Sequence, residues 1–388
     1  MQIINGLVFC EDGILRKAAV HTSETLITEI STNESLPGSS HSDEEILDAG
    51  GCIVAPGFVD IHIHGAAGRD FCDSSRESND AISAYLSSVG VTSYLGTTMA
   101  RPREELRQMM RVAADCMDAP RPGSAVMRGI NLEGPFSNKE KKGAMMAEML
   151  LSPDCTLVDE LNALCGGRLI FADVAPELAG GQAFVQKASQ KYVVSLAHTA
   201  ADYDTAVQAF LNGATHVTHL YNAMPPFSHR APGVIGAAMD YARDAELICD
   251  GIHVHPAAVR AAFSLLGPDR ICLISDAMRA CGMPDGDYEL GGQPVRVKDG
   301  LATLSDGTIA GSATPLSECF RRAVKLCHIP LQTALKAATH NPARAARLEN
   351  EIGSISAGKR ADFTLLDQDT LLVRGCVIGG ETVFFHTS

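Results

Sequence analysis

The chain has 388 residues and no tryptophan, and aromatic residues make up only 5% of it. No chemistry is assigned to that scarcity. Positive charge is also in short supply: 32 Lys and Arg face 46 Asp and Glu, a formal net charge of −14. This argues against nonspecific nucleic-acid binding, which needs basic surface. It leaves room for a small anionic substrate, because one or two local arginines can serve that. No stretch approaches the ~20 apolar residues needed to cross a bilayer, so no membrane association is expected. The start, Met1 to Cys10, lacks the basic segment and apolar run of a secretory leader. The 12 cysteines are scattered and form no CxxC pair. They read as reduced thiols of a cytoplasmic protein, and a cysteine-held zinc is not expected.

The composition, 46% hydrophobic and 20% charged, is that of an ordinary globular enzyme. The length suits one large domain and a small one. Over the first ~50 residues, short apolar runs at 2–9, 26–30 and 45–47 read as strands, with a polar surface loop at 35–42. After Pro56 the texture changes. Eight strand-length apolar runs follow, at 58–64, 92–98, 125–133, 169–174, 193–198, 215–219, 246–250 and 271–276. Stretches of helical periodicity separate most of them, such as 104–116 and 206–211. Alternation of this kind favours a parallel sheet, and eight units over this length predict an α/β fold, a (β/α)8 TIM-type barrel. A doubly wound open sheet is the alternative. The barrel is preferred because most of these strands end in a residue with catalytic potential, and only a barrel gathers such ends at one mouth. Short strands return after Asn341. The expected division is therefore a small β-sandwich domain built from both chain ends, 1–54 and 346–388, around a barrel at 55–345.

On the first strand, Asp60-Ile-His-Ile-His-Gly sets His62 and His64 on one face, with Ile61 and Ile63 pointing away. Two neutral imidazoles followed by a glycine-rich loop make half a metal site, or else two hydrogen-bonded polar residues at a strand end. Glu133 ends another apolar run before a Gly-Pro turn, where it could ligate a metal, bridge two, or lie exposed. His198 and His219 each close a strand, and alone each reads as a structural histidine. His216, odd-spaced from His219, is expected to be one. Asp276 ends the last apolar run, where an acid must be paired, face a cleft or cap the next segment. Taken together, six such residues at equivalent strand ends point to a site for a borderline divalent ion such as zinc or iron.

Several segments then act jointly: Pro56-Gly-Phe-Val-Asp-Ile-His-Ile-His-Gly, Leu132-Glu-Gly-Pro-Phe, Ala175-Pro-Glu, Thr218-His-Leu-Tyr-Asn-Ala-Met-Pro, Ser275-Asp-Ala-Met, Asp306-Gly-Thr-Ile-Ala-Gly-Ser and Gly358-Lys-Arg-Ala-Asp-Phe-Thr-Leu-Leu-Asp. Over nearly its whole length the chain resembles the amidohydrolase superfamily and, within it, the N-acetylglucosamine-6-phosphate deacetylase family. The first and last motifs mark only the superfamily; LEGPF with HLYNAMP is more specific. The resemblance implies Glu133, His198 and His219 as holders of the principal metal, and His62 and His64 as holders of a second, so one or two ions of zinc or iron per subunit. It implies Asp276 as catalytic acid/base, and Asn222, Ala223 and His253 as substrate contacts. It places Arg230 on the substrate phosphate, and Ile309 and Ala310 beside the sugar. Met145 stands near where many relatives carry His or Gln; a thioether cannot donate that hydrogen bond. Arg260 is either a surface residue or, in a dimer, a reach toward the neighbour's phosphate. The implied partners are a small phosphorylated amino sugar and a second copy of the chain, as a homodimer.

Other readings make different demands. A dihydroorotase-like member would use a carbamylated lysine where this chain has Glu133, and no lysine closes a middle strand. A non-catalytic scaffold would be expected to have lost ligands, and all are present.

Overall fold

A computed structural model of the chain describes residues 1–31 and 45–386; the loop expected at 35–42 lies outside them. The eight apolar runs form one parallel sheet: β1 Phe58–Ile63, β2 Val91–Thr97, β3 Val126–Leu132, β4 Leu169–Val174, β5 Val193–Leu196, β6 His216–Val217, β7 Asp244–Ile248 and β8 Ile271–Ile274. Each pairs in parallel with the next in chain order. The eighth returns to the first just past its end, where Asp276 N donates to His62 O at 3.0 Å and Ala277 bridges Ile63 in parallel. The sheet is therefore a barrel, not the open alternative.

A helix follows each strand: α1 Arg76–Ser88, α2 Arg103–Asp118, α3 Cys155–Leu164, α4 Gly181–Ala188, α5 Tyr203–Leu211, α6 Gly233–Tyr241, α7 Pro256–Leu266 and α8 Leu316–Lys325. Local chemistry starts several of them. Ser75, Asp154 and Asp202 each accept from backbone N–H groups of the first turn of α1, α3 and α5. Apolar stripes such as Leu106, Met109, Met110 and Ala113 of α2 face the strands and form the main core. Two further helices follow, α9 Leu331–Ala338 and α10 His340–Ala345. Ala343 and Ala345 of α10 pack with Val59, Ile61, Leu95, Phe171, Val193, Ile248 and Ile274. Asn341 of α10 donates to the carbonyls of Pro268 and Ile271 at the start of β8, so α10 sits at the barrel end away from the strand C-termini.

Strand alternation in β1 is broken. Its pairing with β2 steps from Asp60 to Ile63 while β2 steps only from Tyr94 to Gly96. Val59 and Ile61 lie in the barrel-end cluster and Ile63 in the main core, so the bulge parts Ile61 from Ile63, which strict alternation had set on one face.

The chain ends build two smaller sheets. One orders Leu26–Ser31, Ala19–Ser23, Gln2–Ile4 and Ile46–Asp48; the other orders Glu381–Phe385, Val373–Ile378, Phe363–Asp367, Cys52–Pro56, Leu7–Phe9 and Leu15–Lys17. Antiparallel pairing of Phe363–Asp367 with Cys52–Pro56 joins the two ends of the sequence. Ile3, Val20, Ile27, Val54, Phe363 and Leu365 form a core between the sheets, separate from that of the barrel. The apolar run at 2–9 is two strands in different sheets, because Asn5 takes a left-handed φ of 62° and turns the chain between them. A third, three-stranded sheet, Gly286–Leu290, Gln293–Lys298 and Leu301–Thr303, follows β8 and packs over the mouth with Met99 and Met145.

Candidate metal centre and substrate cleft

The strand C-termini open into a cavity of about 460 Å³, within the usual range of a small-molecule site. His64, Glu133, His198, His219 and Asp276 line its floor; Met145, Asn222, Ala223, His253 and Ile309 line its walls. His62 lies beneath and is fully buried. Each floor residue stands one or two positions past the end of its strand. Three of them, His198, His219 and Asp276, hold left-handed backbone with φ of 44°, 29° and 48°. Non-glycine residues seldom adopt that conformation, and where they do the surrounding fold must enforce it.

Polar atoms converge at the centre. Glu133 Oε1 lies 2.9 Å from His198 Nε2 and 3.1 Å from His219 Nε2, and the two Nε2 atoms are 3.1 Å apart. His62 Nε2 is 3.7 Å from the same oxygen, and His64 Nε2 is 3.5 Å from Glu133 Oε2. Asp276 Oδ1 stands 3.6 Å from His62 Nε2 and 3.3 Å from His64 Nε2. Two three-residue donor sets result, His62/His64/Glu133 and Glu133/His198/His219, sharing Glu133.

The far side of the rings decides which nitrogen faces inward. His62 Nδ1 meets Glu246 Oε2 at 2.8 Å, His64 Nδ1 meets Thr97 O at 3.3 Å, and His198 Nδ1 meets Lys141 O at 2.8 Å. An acceptor there takes the Nδ1–H and leaves Nε2 for the centre. His62 Nε2 is buried with no hydrogen-bond partner among the described residues. An orphaned imidazole nitrogen among carboxylate oxygens, with two more imidazoles converging on one of them, fits a divalent ion with mixed N and O ligands.

The electrostatics agree. Burial alone would push Glu133 up, but the imidazoles of His198 and His62 and hydrogen bonds from His198 and His219 hold it well below the usual carboxylate range. Asp276 is likewise pushed up by burial and pulled down further by His64, His62 and His219, to about 2. Burial lowers His62, yet Glu246, Glu133 and Asp276 outweigh it and raise the ring well above its ordinary value. The cluster thus calls for positive charge, which a proton or a divalent cation can meet.

His253 is placed by Asp250, just past β7. Asp250 Oδ2 lies 2.6 Å from its Nδ1, and Asp250 Oδ1 accepts from the backbone N–H of Ile252 and His253. This leaves Nε2 for the cavity. Burial lowers His253, but the hydrogen bond and charge of Asp250 win and raise it.

Two expected substrate residues lie off the cavity wall. Ala310 is fully buried in the cluster beneath the third sheet, its N–H donating to Ala302 O at 3.0 Å. Arg230, ahead of α6, is exposed and does not line the cavity of its own chain; Arg260 on α7 is exposed too. His216 is buried, 3.0 Å from Ser195 Oγ through Nδ1 and packed on Phe171, away from the cluster. The sequence reading missed the segment Lys139–Lys142, which lines the mouth with Asp306 and Thr308. Its Lys-Glu-Lys-Lys run beside a ligand loop was the available signal. It also gave Glu177 no role. Glu177 accepts from Asn138 Nδ2 at 2.7 Å, Thr199 Oγ1 at 2.5 Å and Ala200 N at 2.6 Å, and so fastens that segment to the turn bearing His198.

Comparison with known proteins points the same way. Residues 53–385 match the model of the amidohydrolase family. N-acetylglucosamine-6-phosphate deacetylase of Lysinibacillus sphaericus is 37% identical over 328 residues, covering 84% of each chain. N-acetylgalactosamine-6-phosphate deacetylase of Escherichia coli O157:H7 is 34% identical, covering 86% of this chain and 88% of its own. A variant of N-acetyl-D-glucosamine-6-phosphate deacetylase from Mycobacterium smegmatis, solved with N-acetyl-D-glucosamine-6-phosphate, superimposes with a TM-score of 0.90 at 31% identity, covering 99% of both chains. The match spans the barrel and the strands that flank it, and it takes in the buried donor cluster. This chain therefore belongs to the amidohydrolase family.

Proposed function

We propose that the protein hydrolyses N-acetyl-D-glucosamine 6-phosphate to D-glucosamine 6-phosphate and acetate, a step in the breakdown and recycling of amino sugars. The observation that carries this reading is the meeting of Glu133, His198 and His219 on one point in the floor of a cavity, in a chain whose relatives carry that activity. Glu133, His198 and His219 would hold one divalent ion, and His62 and His64 with Glu133 a second; zinc or iron suits such donors. When bound, such an ion lowers the pKa of water to about 7 and polarises a carbonyl. Asp276, ionised at neutral pH, accepts the proton of the attacking water and passes it to the leaving amine. His253, held by Asp250, donates Nε2–H to the oxyanion that develops on the acetyl carbonyl. Asn222, Ala223, Met145 and Ile309 position the sugar, with the backbone beside Ala310.

Arg230 lies outside its own cavity, so in the proposed homodimer its guanidinium reaches the phosphate in the neighbouring subunit, with Arg260 a weaker candidate. The proposed division is a cytoplasmic protein with a barrel at 55–345 and a β-sandwich of 1–54 and 346–388, supported by the shared core between the two terminal sheets. Among the described residues, no helix is long and apolar enough to cross a membrane.

A galactosamine epimer is the second reading, favoured by the 34% identity to a deacetylase of that sugar. The test is acetate release from N-acetylglucosamine 6-phosphate, N-acetylgalactosamine 6-phosphate and both unphosphorylated sugars. The expected result is turnover of the phosphorylated glucosamine well above the other three. Equal turnover with and without phosphate contradicts the substrate assignment.

A further inference from the structure

Among the described residues, Glu246 is the one carboxylate that touches both donor sets while belonging to neither. It sits on β7 between Ala245 and Leu247, and its side chain is fully buried. A charge in that position is costly unless it is compensated. The geometry supplies the compensation. Oε2 accepts from His62 Nδ1 at 2.8 Å and from the backbone N–H of His219 at 3.0 Å. Oε1 has no partner among the described residues. The first contact fixes the tautomer and orientation of a ring in the His62/His64 set. The second holds the backbone of a residue in the Glu133/His198 set, at the point where His219 takes its left-handed φ of 29°. The backbone carbonyl of Glu246 adds to this, accepting from Leu220 N at 2.9 Å.

We infer that Glu246 is a positioning residue that couples the two ion subsites, orienting His62 for one and the His219 turn for the other. The inference rests on the metal reading given above. Its charge acts through His62, since a carboxylate behind a ligating imidazole raises the basicity of the opposite nitrogen. A backbone hydrogen bond holds position without touching the donor atom. Loss of Glu246 therefore falls hardest on the His62/His64 set.

The test is zinc uptake by the full-length protein, stripped of metal and dialysed against buffered Zn²⁺. Wild type is expected to take up two equivalents. Glu246→Gln keeps the shape and the acceptor oxygen but not the charge, and should weaken the second equivalent by about tenfold. Glu246→Leu should weaken it by ~10–100-fold, the scale seen for such supporting partners. In Glu246→Gln, which keeps an acceptor for the His219 N–H, the first equivalent should stay within a few-fold of wild type; in Glu246→Leu, which removes it, the first equivalent should weaken too, by less than the second. Asp362→Asn is the control: this buried acid accepts from Gly379 N and pairs with Arg128 and Arg360 in the sheet built by the chain ends, so both equivalents should bind as in wild type. A purely structural role for Glu246 would lower the melting temperature and leave the ratio of the two affinities unchanged. Should the Leu variant not fold, the Gln variant decides. Wild-type affinities for both equivalents in a folded Glu246→Gln protein overturn the coupling, as does a wild type that takes up a single equivalent. A wild type that takes up none overturns the metal reading itself.

Discussion

At the scale of single residues, the site works by fixing the back of each functional group. Asp250 and His253 give the simplest case, because both are largely buried and neither belongs to the donor sets. Burial opposes the charge on each, and their mutual hydrogen bond outweighs it. Asp250 is held below 3.8 and His253 above 6.5. The sign of the pH dependence follows. The depressed acid contributes stability above its unfolded value and loses it as pH falls through the folded one. The raised base contributes fully below its unfolded value and loses it as pH rises through the folded one. The pair is therefore worth most between 3.8 and 6.5. Asp250→Asn should cost about 1.5–3 kcal/mol in that window, the scale of a hydrogen bond to a charged group, and less in alkali. Melting temperatures of both proteins across the pH range check this. A difference that does not shrink above neutrality would mean that His253 is neutral and the contact is not an ion pair.

At the scale of elements, the strand ends are shaped by close backbone approach. Gly134 follows Glu133 with φ of +107°, and a Cβ there would sit 2.2 Å from Ala100 N and 2.7 Å from the Met99 carbonyl carbon. Neither atom can move without shifting the end of β2. Gly134→Ala should lose about 3 kcal/mol in urea unfolding. Gly123, in the loop after α2, has φ of +64° and nothing within 4 Å, so Gly123→Ala should lose only the ~1–2 kcal/mol of a left-handed alanine. Equal losses would show that conformation, not contact, sets the requirement. The elements themselves were largely legible. Each barrel strand is an apolar run that stops at a polar residue, and the helices between them carry the expected periodicity. The β1 bulge was not legible, since the residues on either side of it alternate normally. Nor was the split at Asn5, where one side chain's tolerance of left-handed backbone sends neighbouring segments to different sheets. Val295 and Val297 alternate with Arg296 and Lys298 as a half-buried strand should, yet only long-range packing on Met99 and Met145 puts that strand over the mouth.

At the scale of the whole molecule, the barrel brings side chains from the ends of β1, β3, β5, β6 and β8 to one point. Residues that end a strand were readable as candidates because acids and histidines stand out after apolar runs. Glu246 was harder to assign, although the signal was present: a carboxylate at the centre of Asp244–Ile248, between Ala245 and Leu247, where the remaining side chains toward the strand end are apolar. Its partners are 184 and 27 residues away, and only the closed barrel supplies them. Arg230 shows the opposite limit, since a motif match gave it a substrate role and the fold of one chain leaves it outside the cavity. The central claim is that buried imidazoles and carboxylates work as ion ligands rather than as a hydrogen-bonded core. Acetate release from N-acetylglucosamine 6-phosphate, followed before chelation, after chelation and after return of Zn²⁺, tests it most directly. The account predicts turnover that is lost with the metal and restored by it, with the fold intact throughout. Turnover undiminished in protein shown to be free of metal would contradict it.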